Sequence, residues 1–111
     1  MARFNLSPEE FAERAAEAAG LLKMLSHEAR LMVLCRLVDG EVAAGALQRE
    51  SGLSQSALSQ HLAKLREEGL VQTRREAQTI YYSVADPRVG QILQTLAAIF
   101  CPPEAPRARR R

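Results

Sequence analysis

Apolar side chains recur at helical spacing in five stretches of this chain, and one stretch before the last alternates instead. In SPEEFAERAAEAAGLLKML, Ser7 stands as an N-cap, Pro8 occupies the first helical position and Glu10 completes a capping box, with Phe11, Ala15, Ala18 and Leu22 following at helical spacing. Ser26 is expected to cap a second helix, HEARLMVLCRLVDG, whose Leu31, Leu34, Cys35 and Val38 trace an i, i+3, i+4, i+7 stripe and which Gly40 ends. That stripe puts Cys35 on the buried face. A short helix, AGALQRESG, stops at Gly52, and Ser54 starts a fourth, QSALSQHLAKLREEG, which closes at Gly69.

Only GLS separates the third and fourth helices, the tight turn of a helix-turn-helix. At 100° per residue, Leu58, Leu62 and Leu65 share one side of the fourth helix, while Ser56, Ser59, Gln60 and Ala63 share the other. A small, polar outward face fits a major groove, where Gln and Ser read base edges and Lys64 reaches phosphate; a merely solvated face is the competing reading. The alternating stretch LVQTRREAQTIYYSV predicts two strands joined at EAQ, with Ile80, Tyr82 and Val84 on one face and Thr79, Tyr81 and Ser83 on the other. A hairpin carrying Arg74 and Arg75 directly after a helix-turn-helix has the layout of a winged helix. Candidate DNA contacts are therefore Ser54, Gln55, Ser56, Ser59, Gln60, His61, Lys64, Arg74, Arg75 and Gln78. His61 flanks the leucine side, where a structural or phosphate-contacting role is expected in preference to metal binding. Asp86 then caps, and Pro87 begins, a last helix striped by Val89, Ile92, Leu93, Leu96 and Phe100, which Cys101 closes ahead of two prolines.

Composition narrows the class. At 111 residues, 47% hydrophobic and 25% charged, the chain reads as one soluble globular domain, residues 1–101, followed by a basic tail, 102–111, expected to be disordered. No apolar run approaches the roughly 18 residues of a membrane span, and the N-terminus is too charged for a signal peptide, which predicts a cytoplasmic protein with no membrane contact. The net charge of +2 leans on Arg107, Arg109, Arg110 and Arg111, so any attraction to nucleic acid in the body must come from a local basic face. Both terminal helices are apolar yet least needed for a winged-helix core, which makes them the expected two-fold dimer interface.

Cys35 and Cys101 are the only cysteines, too few for a disulfide framework. Periodicity alone favours core packing over reactivity for Cys35. Cys101, at a helix end before two prolines, is expected to be partly exposed, although the negative end of the helix dipole opposes a thiolate there. No Cys-x-x-Cys motif, Gly-rich phosphate loop or Ser/His/Asp arrangement supports an enzyme, and no cofactor is expected.

The runs HEARLMVLCRL, LSQSALSQHLAKLREEGLV and RREAQTIYYSV, in this order, resemble the ArsR family of bacterial repressors over about residues 18 to 100. The resemblance implies a mostly α fold with a small β-hairpin, a winged helix-turn-helix that dimerises through its first and last helices and leaves double-stranded operator DNA when an inducer acts. The family's thiolate metal site at the start of the third helix has no counterpart in EVAAGAL. Of its site on the last helix only Asp86 is present, with Arg88, Ile99 and Pro102 at the other positions, so no metal is expected. The two cysteines instead look like those of the family's persulfide-responsive branch. That likeness implies a dithiol, Cys35 and Cys101, which reactive sulfur species cross-link, releasing DNA and switching on sulfide detoxification genes. Arsenite, another soft metal ion or a general oxidant stands as the alternative inducer. Ala77 replaces the glycine often found at the wing tip of relatives and leaves the turn type open.

Overall fold

Local chemistry at the helix starts explains much of the element order. In a computed structural model, which describes residues 5–101, the Ser7 hydroxyl accepts from the Glu10 N–H at 3.1 Å and the Glu10 carboxylate accepts from the Ser7 N–H at 2.9 Å. This capping box opens α1 (Pro8–Leu25). The chain then turns sharply into α2 (Glu28–Val38), and here the expected cap is wrong: Ser26 is consumed in ending α1, its N–H bonding the Lys23 carbonyl. His27 caps α2 instead, its Nδ1 accepting from the Ala29 N–H at 3.2 Å. A two-residue strand, β1 (Val42–Ala43), leads into α3 (Ala44–Ser51), and α4 (Gln55–Glu67) follows the turn at Gly52, whose φ of 74° is left-handed. The wing is β2 (Val71–Glu76) and β3 (Thr79–Val84), and α5 (Pro87–Phe100) starts where the Asp86 side chain accepts from the Arg88 N–H at 2.9 Å.

The sheet has three strands rather than the two of a simple hairpin. β1 adds antiparallel to the far side of β3, giving the order β1-β3-β2, with Val42 opposite Tyr82 and Ala43 opposite Tyr81. Two residues are too few to show alternation, which is why the pattern EVAAGAL hid this strand. Glu76 pairs with Thr79, so the wing turns on Ala77 and Gln78 alone. Ala77 takes φ 57°, a left-handed conformation that costs any residue with a Cβ about 1 kcal/mol.

The core is a single cluster to which each helix contributes: Leu21 and Leu25 from α1, Val33, Leu34 and Leu37 from α2, Leu47 from α3, Leu58, Leu62 and Leu65 from α4, Val89 and Leu93 from α5, with Val42 and Val71 from the sheet. The buried stripe of α2 is therefore Val33, Leu34 and Leu37, one step around the helix from the expected one. Cys35 is exposed, not buried. The helix is apolar on most of its circumference, so two stripes satisfied the same spacing and only tertiary packing chose between them. In α1, Phe11 and Leu22 face outward at 49% and 54% exposure, and in α5 Ile99 and Phe100 do so at 62% and 74%. Within the described residues no helix is long and apolar enough to cross a membrane. The tail expected to be disordered, residues 102–111, lies outside the described residues.

Candidate functional site

The outward face of α4 is set by what its inward face buries. With Leu58, Leu62 and Leu65 in the core, Gln55, Ser56, Ser59, Gln60 and Lys64 are all exposed. Ser54 caps the helix, its hydroxyl accepting from the Ala57 N–H at 3.1 Å, and it keeps its proton to donate to a ligand. Lys64 lies 4.0 Å from the Glu68 carboxylate one turn on, a loose exposed pair that a phosphate could displace. His61 is different. It is half-buried, meets the His27 ring edge to face at 4.5 Å between centroids, and accepts a long hydrogen bond from Arg30 Nε at 3.4 Å. Burial first, then the neighbouring His27 and Arg30, hold its pKa below the usual imidazole range, so the ring is neutral at pH 7 and fastens α4 to the start of α2.

The two wing arginines lie on opposite faces because they are adjacent on one strand. Arg74 pairs across the ladder with Tyr81, and its guanidinium sits 4.6 Å from the centre of that ring. It also forms a forked pair with Glu41 and donates to Glu76 at 2.8 Å. Arg75, opposite Ile80, is exposed and makes no side-chain hydrogen bond or ion pair with any described residue, and Gln78 is exposed in the turn. Of the two cations predicted for the wing, one is already held by carboxylates.

The two cysteines stand on helices that pack together from distant parts of the chain. Cys35 lies on α2, Cys101 caps the C-terminus of α5, and these two helices pack side by side. Both thiols are free and exposed. The Cys35 pKa is pushed up, mostly by partial desolvation, then by negative charge on Cys101 and on Asp39. Arg36 gives no relief, because its guanidinium is committed to Glu50 on α3.

A cavity of about 450 Å³ opens between α2 and α3, floored by Met32, Val33, Leu47 and Leu53 and rimmed by His27, Glu28, Arg36 and Glu50. Among the described residues no cluster of three or more His, Cys, Asp or Glu could hold a metal ion. Sequence reasoning missed Glu41, His27 and Arg30 as parts of the site. Their partners lie some 30 residues away in the chain, and no local pattern marks such pairs.

The profile of the bacterial regulatory protein, arsR family, matches residues 27–73, which run from the α2 cap through the helix-turn-helix into β2. The chain is 43% identical to the biofilm growth-associated repressor of Xylella fastidiosa over 102 residues, 92% of this chain and 90% of that one. The structure resembles that of reduced HlyU from Vibrio cholerae, with a TM-score of 0.79 and 45% identity, covering 84% of this chain and 98% of the other. A homodimeric winged helix-turn-helix DNA-binding domain from Mycobacterium bovis matches with a TM-score of 0.70 and 29% identity, covering 89% of each chain.

Proposed function

The chain belongs to the arsR family of bacterial regulatory proteins, DNA-binding transcriptional regulators rather than enzymes; from that premise we propose a homodimeric repressor whose operator release is switched by the pair Cys35 and Cys101. The observation carrying the switch is that both thiols are exposed and stand on helices, α2 and α5, that pack against each other. Support for the dimer comes from the outward apolar side chains of α1 and α5, which match the homodimeric state of the Mycobacterium bovis domain. Support for repression comes from the function named for the Xylella fastidiosa relative. In this reading Gln55, Ser56, Ser59 and Gln60 meet base edges, while Ser54, Lys64, Arg75 and Gln78 meet backbone or groove edges.

The inducer in this reading is a reactive sulfur species. With an organic polysulfide RS–Sn–SR, one cysteine thiolate attacks a sulfur next to a terminal RS group and expels RSH after proton uptake, leaving Cys–S–Sn–SR. The second thiolate attacks the sulfur carrying the remaining RS and expels a second RSH. The product bridges Cys35 and Cys101 through n added sulfur atoms, so the dithiol's two protons leave with the two thiols released. A direct disulfide demands a Cα separation within about 7 Å, whereas inserted sulfur lengthens the reach, and that difference favours polysulfide over peroxide. The bridge ties α2, which packs against the wing strand β3, to α5 on the dimer side, coupling the sensor to the DNA-reading elements. The regulated genes would then be those of sulfide detoxification.

The test measures binding to a duplex selected from a random pool, before and after polysulfide, peroxide, glutathione disulfide or arsenite. Polysulfide alone should release the DNA, and Cys35→Ser and Cys101→Ser should bind normally without responding. Equal release by peroxide or arsenite would defeat the sulfur-specific reading, and loss of binding in the untreated Cys35→Ser protein would make that cysteine structural.

A further inference from the structure

Residues 41, 43, 74, 76 and 81 lie on one face of the sheet, because Ala43 and Arg74 both stand opposite Tyr81 and the side chains alternate along each strand. On this face the Arg74 side chain crosses over the Tyr81 ring toward Glu41, which immediately precedes β1. Both Glu41 oxygens accept from Arg74 Nε, at 3.1 and 3.0 Å, and Glu76 accepts from the guanidinium at 2.8 Å. The Glu41 carboxylate is held below its usual pKa by that hydrogen bonding, so it is charged wherever DNA binding would be measured. A phosphate approaching Arg74 would have to displace a forked carboxylate and would meet two negative side chains on arrival.

We infer that Glu41 sets the salt dependence of DNA binding by acting through Arg74: it holds the wing guanidinium against the body of the protein, so that Arg75 is the wing's available cation. Phosphate contacts add affinity to every sequence alike, so withholding one lowers operator and non-specific affinity by the same factor and makes both less sensitive to salt. This rests on the DNA-reading face described above and concerns its electrostatics, not its existence. Glu41 is a positioning residue in this role, since it touches Arg74 and not the DNA.

The test is the slope of log affinity against log salt for a random-sequence duplex, measured on the full chain, alongside affinity for the selected operator duplex. Glu41→Gln frees Arg74 and should steepen the slope by about 0.9, one phosphate's worth, which is about 3.5-fold more affinity lost between 50 and 200 mM salt. The operator duplex should gain by the same factor, leaving the ratio of operator to random-duplex affinity unchanged. Arg74→Ala should leave the wild-type slope unchanged, Arg75→Ala should flatten it by about 0.9, and Glu41→Gln combined with Arg74→Ala should return to the wild-type slope. An unchanged slope in Glu41→Gln overturns the inference, as does a flatter slope in Arg74→Ala. Steepening that survives in the double variant overturns it too, because Glu41 would then be acting through its own charge. Failure of the DNA-reading face itself is separately visible, as wild-type protein without salt-dependent duplex binding, and would take this inference with it.

Discussion

The helix-turn-helix and the paired terminal helices are built from similar amphipathic segments, yet only one of them is finished within a single chain. Around α3 and α4, Leu47, Leu58, Leu62 and Leu65 are all buried and the outward face is polar. Along α1 and α5 the core takes Leu21, Leu25, Val89 and Leu93, while Phe11, Leu22, Ile99 and Phe100 stay exposed. One region buries its apolar face completely. The other leaves apolar side chains exposed, and the proposed cysteine switch stands on helices that reach this less enclosed part of the core.

Breaking each region should give different kinds of failure. The largest effect is expected for Leu65→Ala, at 0% exposure, which should cost about 2 to 5 kcal/mol of stability in chemical denaturation. Replacing Ile99 with Asp should leave the fold intact and weaken self-association by tenfold or more, on the order of 1.4 kcal/mol, in sedimentation equilibrium. If Ile99→Asp unfolds the chain instead, the contrast between a finished and an unfinished region is lost.

A smaller effect sharpens the cysteine geometry. Because the Cys101 charge raises the Cys35 pKa, Cys101→Ser removes one cause of the rise and should move the midpoint of Cys35 alkylation to lower pH. The sign follows from the reactive form: a lower thiol pKa means more thiolate at a given pH, hence faster labelling at neutrality. An unmoved midpoint would place the sulfurs apart. The smallest change is expected at the wing, where Ala77→Gly relieves a left-handed φ and should raise thermal stability by about 0.5 to 1 kcal/mol with DNA binding unchanged.

How much of this was legible beforehand follows the range of the forces involved. Ser7, Ser54 and Asp86 cap the helices that the sequence assigned to them, because capping joins residues two or three apart. The α4 face was readable for the same reason, since one helix with three leucines on one side has a single way to bury them. α2 was not, as Met32, Val33 and Leu37 extend its apolar surface beyond one stripe, and Cys35 moved from the core to the surface. His27 took the capping place expected of Ser26 because the α1 end claimed the serine. The grip of Glu41 on Arg74 spans 33 positions of sequence and depends on a strand of two residues, neither of which leaves a periodic trace. The proposed pairing of Cys35 with Cys101 came from family resemblance, since no sequence pattern marks that α2 packs against α5.

The most direct measurement is the intact mass of the protein after limiting polysulfide, read with its free-thiol count and its DNA occupancy. A paired switch requires both thiols to disappear together, with a mass gain of whole sulfur atoms less two hydrogens, within one chain and in step with DNA release. Modification of Cys35 and Cys101 independently, with each adduct retaining its RS group, or DNA release before any bridge forms, would contradict it.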